Sequence, residues 1–187
     1  MAALSGFRKL IGRPANALET DRLALRRHRR SDFGDCQAMW SDSDVMRYLG
    51  GRPFTREECW ARLLRYAGHW DLLGFGFWAV IEKASGRFAG EIGFANFERD
   101  IEPSFDGAPE IGWVFMPWAQ GRGYATEAAR AVTAWGDAKF GSSRTVCIIS
   151  PDNVPSLRVA EKSGYRQWGE TDYKDSPVVM FERKPGR

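Results

Sequence analysis

The sequence predicts a mixed α/β domain, and three observations carry that reading. Short β-rich apolar runs alternate with stretches that are apolar at helical spacing. The run Glu110-Ile111-Gly112-Trp113-Val114-Phe115 reads as a largely buried strand and passes through a glycine-bearing turn, Gln120-Gly121-Arg122-Gly123-Tyr124-Ala125, into a helix-like segment. The same strand-then-helix order recurs in Thr145-Val146-Cys147-Ile148-Ile149 and Asn153-Val154-Pro155-Ser156. A chain of 187 residues, 43% of them apolar, is long enough for one domain with a proper core and shows no internal repeat. Residues 18–187 are expected to form that domain, and residues 1–17 a peripheral segment whose removal leaves cofactor binding intact.

Taken in order, a strand over 22–27 opens the domain. A helix is expected from about Ser31 to Met46, and another from Thr55 to about His69, where Thr55 and Glu58 stand at capping-box spacing. Phe75 to Glu82 and Arg87 to Phe94 flank the turn-rich Lys83-Ala84-Ser85-Gly86 and read as a hairpin. A stretch with Glu98, Asp100, Glu102 and Asp106 then leads to strand 110–115. Ala125, Ala128, Ala129, Val132, Trp135 and Ala138 mark a helix over 125–139 that ends before Gly141. Strand 144–149, a short helix to about Lys162, and strands near 165–168 and 177–183 complete a mixed, mostly antiparallel sheet of about six to seven strands with about four helices.

Composition excludes several classes. Cys36, Cys59 and Cys147 are odd in number and far apart, against a disulfide framework or a paired-cysteine zinc site, so no metal is expected. The first fourteen residues lack the apolar run of a signal peptide and no long apolar run occurs, so a soluble cytoplasmic protein, monomer or homodimer, is expected, with no membrane partner. The net charge of +3 does not by itself imply a nucleic-acid partner. The run Arg26-Arg27-His28-Arg29-Arg30 is either a solvated strand end or a surface for RNA or a ribosome. The acidic stretch at 98–106 is either a solvated loop or a rim that attracts a cationic amine. Gly74-Phe75-Gly76-Phe77-Trp78-Ala79 fits a dinucleotide fingerprint by letter, but it enters a strand where that fingerprint must leave one. No P-loop is present.

The turn at 120–125 is the strongest motif. Backbone amides at a strand-to-helix turn converge on an anion; glycines allow close approach, and the free N–H groups and dipole of the helix favour negative charge. Gln120, Gly123 and Ala125 fill the pattern Gln/Arg, two residues, Gly, one residue, Gly/Ala, and Thr126-Glu127-Ala128 continues it. With these residues the chain resembles the GNAT superfamily of acyl-CoA-dependent N-acetyltransferases. Asn153-Val154-Pro155-Ser156 through Glu161-Lys162-Ser163-Gly164-Tyr165, and the opening Leu18 to Arg26, resemble the branch that includes ribosomal-protein alanine acetyltransferases. Together the blocks span roughly residues 18 to 183.

The resemblance implies a GNAT-like sheet splayed at a CoA site and direct transfer of an acetyl group from acetyl-CoA to a primary amine, a protein N-terminus or a small molecule. It implies that Gly121 to Ala125 hold the pyrophosphate with help from Arg122, that Gln120 and Thr126 also belong to the cofactor site, and that Trp113, Val114, Phe115 and Met116 form the pantetheine track, with a bulge expected at Gly112. Asn153 is expected to cap its helix and touch the pantetheine arm. Glu110 is the preferred base and Glu91 the second; His28 and His69 read as structural. Ser156 and Tyr173 compete to protonate the departing thiolate, and Glu170 is a doubtful counterpart of a glutamate found in some members. A lysine amine with pKa about 10.4 must give up about 4–5 kcal/mol to be neutral at pH 7, whereas an α-amine near about 7.7 needs only about 1 kcal/mol, so N-termini need a weaker base. The acceptor site is expected near Arg47 to Phe54 and after residue 165, and Trp40, Trp60, Trp70, Trp78, Trp113 and Trp118 are either its lining or core. Two other readings stand beside the enzyme: a CoA-binding sensor without turnover, and an RNA- or ribosome-associated module.

Overall fold

The computed structural model describes residues 17–185, so most of the expected peripheral segment lies outside the described residues. The strands are β1 (Leu18–Glu19), β2 (Leu23–Arg27), β3 (Phe77–Glu82), β4 (Phe88–Ala95), β5 (Glu110–Phe115), β6 (Thr145–Ile149), β7 (Arg166–Tyr173) and β8 (Ser176–Arg183). The helices are α1 (Phe33–Trp40), α2 (Ser43–Met46), α3 (Arg56–Leu73), α4 (Tyr124–Phe140) and α5 (Val154–Lys162). They form a mixed α/β fold around one eight-stranded sheet in the order β1-β2-β3-β4-β5-β6-β8-β7. Every neighbouring pair is antiparallel except β5 and β6, which run parallel.

Three elements differ from the sequence reading, each for a local reason. The helix expected over 31–46 breaks after Trp40, because Asp42 adopts an extended conformation and its Oδ1 accepts from the N–H groups of Asp44 (2.9 Å) and Val45 (3.0 Å), which starts α2 afresh. The opening strand is preceded by β1, since the Thr20 N–H bonds the Leu23 carbonyl at 2.9 Å and turns the chain back on itself. The last two strands are longer than expected and close as a hairpin through Lys174 and Asp175, both in the left-handed region at φ 52° and 60°. Thr55 and Glu58 form the capping box that their spacing predicts.

The two faces of the sheet bury different side chains. Leu23, Leu25, Trp78, Ile92, Phe94 and Ile111 pack under α4, whose Ala128, Ala129 and Val132 let it approach closely. Gly136 permits the same approach, since a Cβ there would lie 2.7 Å from the Phe94 ring. On the other face Cys36, Met39, Trp40, Cys59 and Leu63 from α1 and α3 cover Ala79, Phe88 and Val114. Burying each large apolar side chain contributes about 1.5–3 kcal/mol.

The bulge expected at Gly112 is absent. Gly112 pairs in register with Gly93, and the β4–β5 ladder runs unbroken from 110 to 115. Close packing is the reason for glycine there: a Cβ on Gly112 would meet Phe77 Cζ at 3.1 Å, and one on Gly93 would sit 2.3 Å from the Gly76 carbonyl oxygen. Gly93→Ala is therefore expected to destabilise the fold by about 1–3 kcal/mol or more, against a smaller loss for Gly112→Ala, as read by urea denaturation.

Candidate functional site

The site begins where the sheet comes apart. β5 and β6 share a single registered pair, Glu110 with Val146, and beyond it the two strands have no further partners. They form a wedge with Glu110 at its vertex and the loop 116–123 at its mouth. The Met116 N–H still bonds back to Ala89 O at 2.9 Å, so β5 keeps its place on β4 while its other edge opens.

At the mouth the chain builds a cradle of free amides. Gly121 and Gly123 take φ +72° and +79°, a region L side chains rarely adopt, and a Cβ on Gly121 would meet nothing within 4 Å. Gln120 anchors the loop by donating from Nε2 to Phe115 O at 3.0 Å. Gly123 caps α4 without a side-chain bond, and the first backbone bond of that helix is Glu127 N–H to Gly123 O, at 3.0 Å. The N–H groups of Gly121, Arg122, Gly123, Tyr124, Ala125 and Thr126 thus find no acceptor among the described residues. A 17-residue helix stands behind them, so its dipole adds to the attraction for negative charge.

The cradle is held by the turn between β1 and β2. Arg22 donates from Nε to Glu127 (2.7 Å) and from Nη1 to the Arg122 carbonyl (2.9 Å), and its guanidinium lies 4.6 Å from the Tyr124 ring centroid. The Tyr124 hydroxyl donates to Glu82. Burial by itself pushes the Glu127 carboxyl up, but bonds from Thr20 and Arg22 outweigh it and hold the group below its usual range. Arg122 is half exposed with Nη1 3.8 Å from Glu82, loose enough to turn toward a ligand. An open groove of about 780 Å³ adjoins the cradle, bounded among others by Arg22, Arg130 and Lys162.

Across the wedge, α5 comes within reach of β5. Asn153 caps α5, its Oδ1 accepting from the Ser156 N–H at 3.2 Å, and Ser156 Oγ accepts from Trp113 Nε1 at 3.3 Å. Ser156 of α5 is thereby tied to Trp113 of β5. Val114 and Phe115 are buried, Val114 on the face covered by α1 and α3, and Trp113 is half-buried.

The carboxylates on the opposite face of β4 and β5 are less free than the sequence suggests. Glu110 is buried and both its oxygens accept from Arg99, Nε to Oε2 at 2.5 Å and Nη2 to Oε1 at 2.7 Å. Arg99 in turn lies 4.7 Å from the Phe97 ring centroid and 4.8 Å from that of Tyr173. Glu91 is fully buried; its Oε1 accepts from Trp40 Nε1 at 2.9 Å and from the Tyr66 hydroxyl, and His28 Nε2 stands 3.4 Å from its Oε2, an ion-pair distance without hydrogen-bond alignment. Burial alone would raise Glu91, but His28, Arg62 and Tyr66 together hold it below its ordinary value. Ligating atoms of His28, Cys36 and Glu91 lie within 4.8 Å of one another, although Glu91 already serves Trp40 and Tyr66. His69 bridges the carbonyls of Arg65 (2.8 Å) and Asn96 (3.0 Å), a structural place.

Sequence reasoning missed Arg99, Tyr66 and Arg62 on this face. Arg99 had a signal, being the one arginine inside the acidic stretch. The basic run proves largely spent: Arg26 makes two 2.7 Å bonds to Asp32, Arg27 pairs with Asp71 at 2.6 Å, and His28 turns inward. In the acidic stretch Asp106 pairs with Arg144 at 3.1 Å, and Ile101 and Phe105 are buried. Trp40, Trp70 and Trp78 are core, Trp113 and Trp118 half-buried, and Trp60 is 36% exposed.

Comparison with known proteins agrees with this geometry. Residues 22–166 match the family model described as an acetyltransferase (GNAT) domain. The N-acetyltransferase YnaD of Bacillus subtilis (strain 168) is 33% identical over 155 residues, 81% of this chain and 84% of its own. A GnaT-family acetyltransferase from Bordetella pertussis superposes with a TM-score of 0.79 at 34% identity, covering 90% of this chain and 99% of that one. The aminoglycoside acetyltransferase AAC(6')-Ib, solved with paromomycin and acetyl-CoA, shares the fold at a TM-score of 0.71 and 18% identity, over 88% of this chain and 94% of its own. A wedge-shaped sheet with an amide-lined mouth and a family match over most of its length make this chain a member of the GNAT superfamily of N-acetyltransferases.

Proposed function

We propose that the protein transfers an acetyl group from acetyl-CoA directly to a primary amine. The observation that carries this reading is the run of six unpartnered N–H groups from Gly121 to Thr126 at the mouth of a wedge between parallel strands. The donor supplies an activated thioester; the remaining work falls to the chain. The cradle amides and Arg122 hold the pyrophosphate, and Arg130 and Lys162 border the groove where a further phosphate fits. The open edge of β5 from Trp113 to Phe115 lines the pantetheine arm and aims an N–H at the thioester oxygen. Asn153 and Ser156 flank the same arm. Ser156, already within hydrogen-bond range of Trp113, stands ready to donate to the departing sulfur, a weak demand for a thiol of pKa about 8.5. All three cysteines are free and buried, and burial first, then the charge of Glu110, pushes the Cys147 thiol well up. A neutral thiol is a poor nucleophile, which favours direct attack by the amine over an acyl-cysteine.

Glu110 at the vertex takes the proton from the incoming amine once the acceptor draws Arg99 aside. Glu110→Gln keeps a partner for Arg99 and is expected to lower kcat by about 10²-fold or more with acetyl-CoA affinity unchanged. Unchanged turnover would remove Glu110 as base. Acetyl-CoA at about 100 times its Kd should stabilise the fold by about 2.7 kcal/mol in a thermal-shift assay, whereas ATP and NAD should not. Stabilisation by acetyl-CoA with no thiol released across a broad amine panel would favour the sensor reading.

A further inference from the structure

The face of β4 and β5 opposite α4 carries more guanidinium than carboxylate. Its two glutamates are engaged, Glu91 by Trp40, Tyr66 and the nearby His28, and Glu110 by two nitrogens of Arg99, Nε and Nη2. Arg62 and Arg65, one turn apart on α3, have no carboxylate within ion-pair distance among the described residues. Arg62 lies over Trp40, its guanidinium carbon 3.6 Å from the ring centroid, with Phe54 at 5.3 Å and Tyr66 at 5.7 Å, and its Nε is buried with no hydrogen-bond partner. Arg65 is exposed and stands 5.2 Å from the Phe97 ring, the same ring that Arg99 covers from 4.7 Å.

This places the two arginines on the face of the sheet that carries Glu110. Tyr66 reaches Glu91, which pairs across the ladder with Val114 on the opened strand, and the chain Arg65, Phe97, Arg99 ends on Glu110. A guanidinium stacked on an aromatic ring keeps its edge free for a planar anion, and a buried N–H without a partner is restored by an acceptor that enters with the substrate.

We propose that the amine acceptor also carries a carboxylate, which Arg62 and Arg65 hold while the amine faces Glu110. This rests on the acetyl-transfer reading above and narrows it: a polycationic amine such as paromomycin meets like charge here, whereas an amino acid or an acidic peptide N-terminus meets its complement.

The test compares matched acceptors by thiol release from acetyl-CoA. Each common amino acid is set against its amide, and tetrapeptide amides with Asp against those with Asn at the second position, with paromomycin as the cationic arm. At least one acid is expected to exceed its amide by tenfold or more in kcat/KM, chiefly through KM. The arm in which this occurs, free amino acid or peptide, identifies the source of the carboxylate. Arg62→Ala and the exposed Arg65→Ala should each narrow that ratio at least fivefold, Arg62→Lys should restore part of it, and Arg65→Glu should move preference toward cationic amines. Equal use of acids and amides, preference for paromomycin, or ratios untouched by the variants would overturn the carboxylate subsite while leaving acetyl transfer standing. No turnover with any amine, in protein that binds acetyl-CoA, would overturn both.

Discussion

Gly123→Val is expected to raise the Kd for acetyl-CoA by at least about 100-fold, equivalent to about 2.7 kcal/mol. Gly123 sits at φ +79°, where a β-branched residue is strained, and its new Cβ would lie 3.5 Å from Arg22 Nη2. Turning that peptide redirects the N–H groups on either side, and hydrogen bonds to charged groups are worth about 1.5–3 kcal/mol each, so the loss of two accounts for the effect. Arg22, bonded to Glu127 and the Arg122 carbonyl, couples the loop to β2. Calorimetric titration of acetyl-CoA is the measurement, with Gly123→Asn as the milder partner, since asparagine tolerates the left-handed region. Native affinity in the valine variant would remove the loop from the cofactor site.

The second large effect is on the fold. Glu91→Ala removes the shared acceptor of Trp40 and Tyr66 and the counter-charge beside His28, all of it buried. Deleting one side of such a network costs about 3–5 kcal/mol, which for a domain of this size lowers Tm by about 6–20 °C. The pH dependence carries the same signature. Glu91 is held below its ordinary 4.5 because His28, Arg62 and Tyr66 outweigh burial, so the folded state binds fewer protons than the unfolded one. The stability it contributes is full above that ordinary value and is lost as pH falls through the lower folded value. Denaturation midpoints of the native protein should therefore drop on acidification below about pH 4.5. Glu91→Gln should flatten part of that limb, leaving the share of Asp32 and Glu127, which are lowered in the same sense. Identical acid limbs in the two proteins would show that Glu91 does not titrate with folding.

What could be read from the chain is what neighbours in sequence build. Gly121, Gly123 and the first turn of α4 are contiguous, so a positive φ, an uncapped helix start and an amide cradle all follow from one short segment. The Thr55–Glu58 box and the Asn153 cap are local in the same way. The break at Asp42 was legible too, because an aspartate between two serines competes for backbone N–H groups, yet the apolar spacing across it hides the restart. By contrast, Glu110 has the right residue type and position for a base, but its partner Arg99 reaches it only when the loop folds back along β5. Gly112 illustrates the same limit: the letter is the same for a bulge and for close packing, and the Phe77 ring beneath it decides the matter.

The sequence by itself determined the class of fold, the wedge-lining strand and the glycine turn into α4, since hydrophobic period, glycine conformation and helix termini are properties of short contiguous segments. The tertiary structure alone decided the charge balance of the face of β4 and β5 opposite α4. Trp40 comes from α1, Tyr66, Arg62 and Arg65 from α3, His28 from the end of β2, Glu91 from β4, and Glu110 and Arg99 from β5 and its preceding loop. Ion pairs between segments so far apart exist only once the sheet has brought them within a few ångströms, because electrostatic and hydrogen-bond energies depend on distance in space and burial, not on separation along the chain.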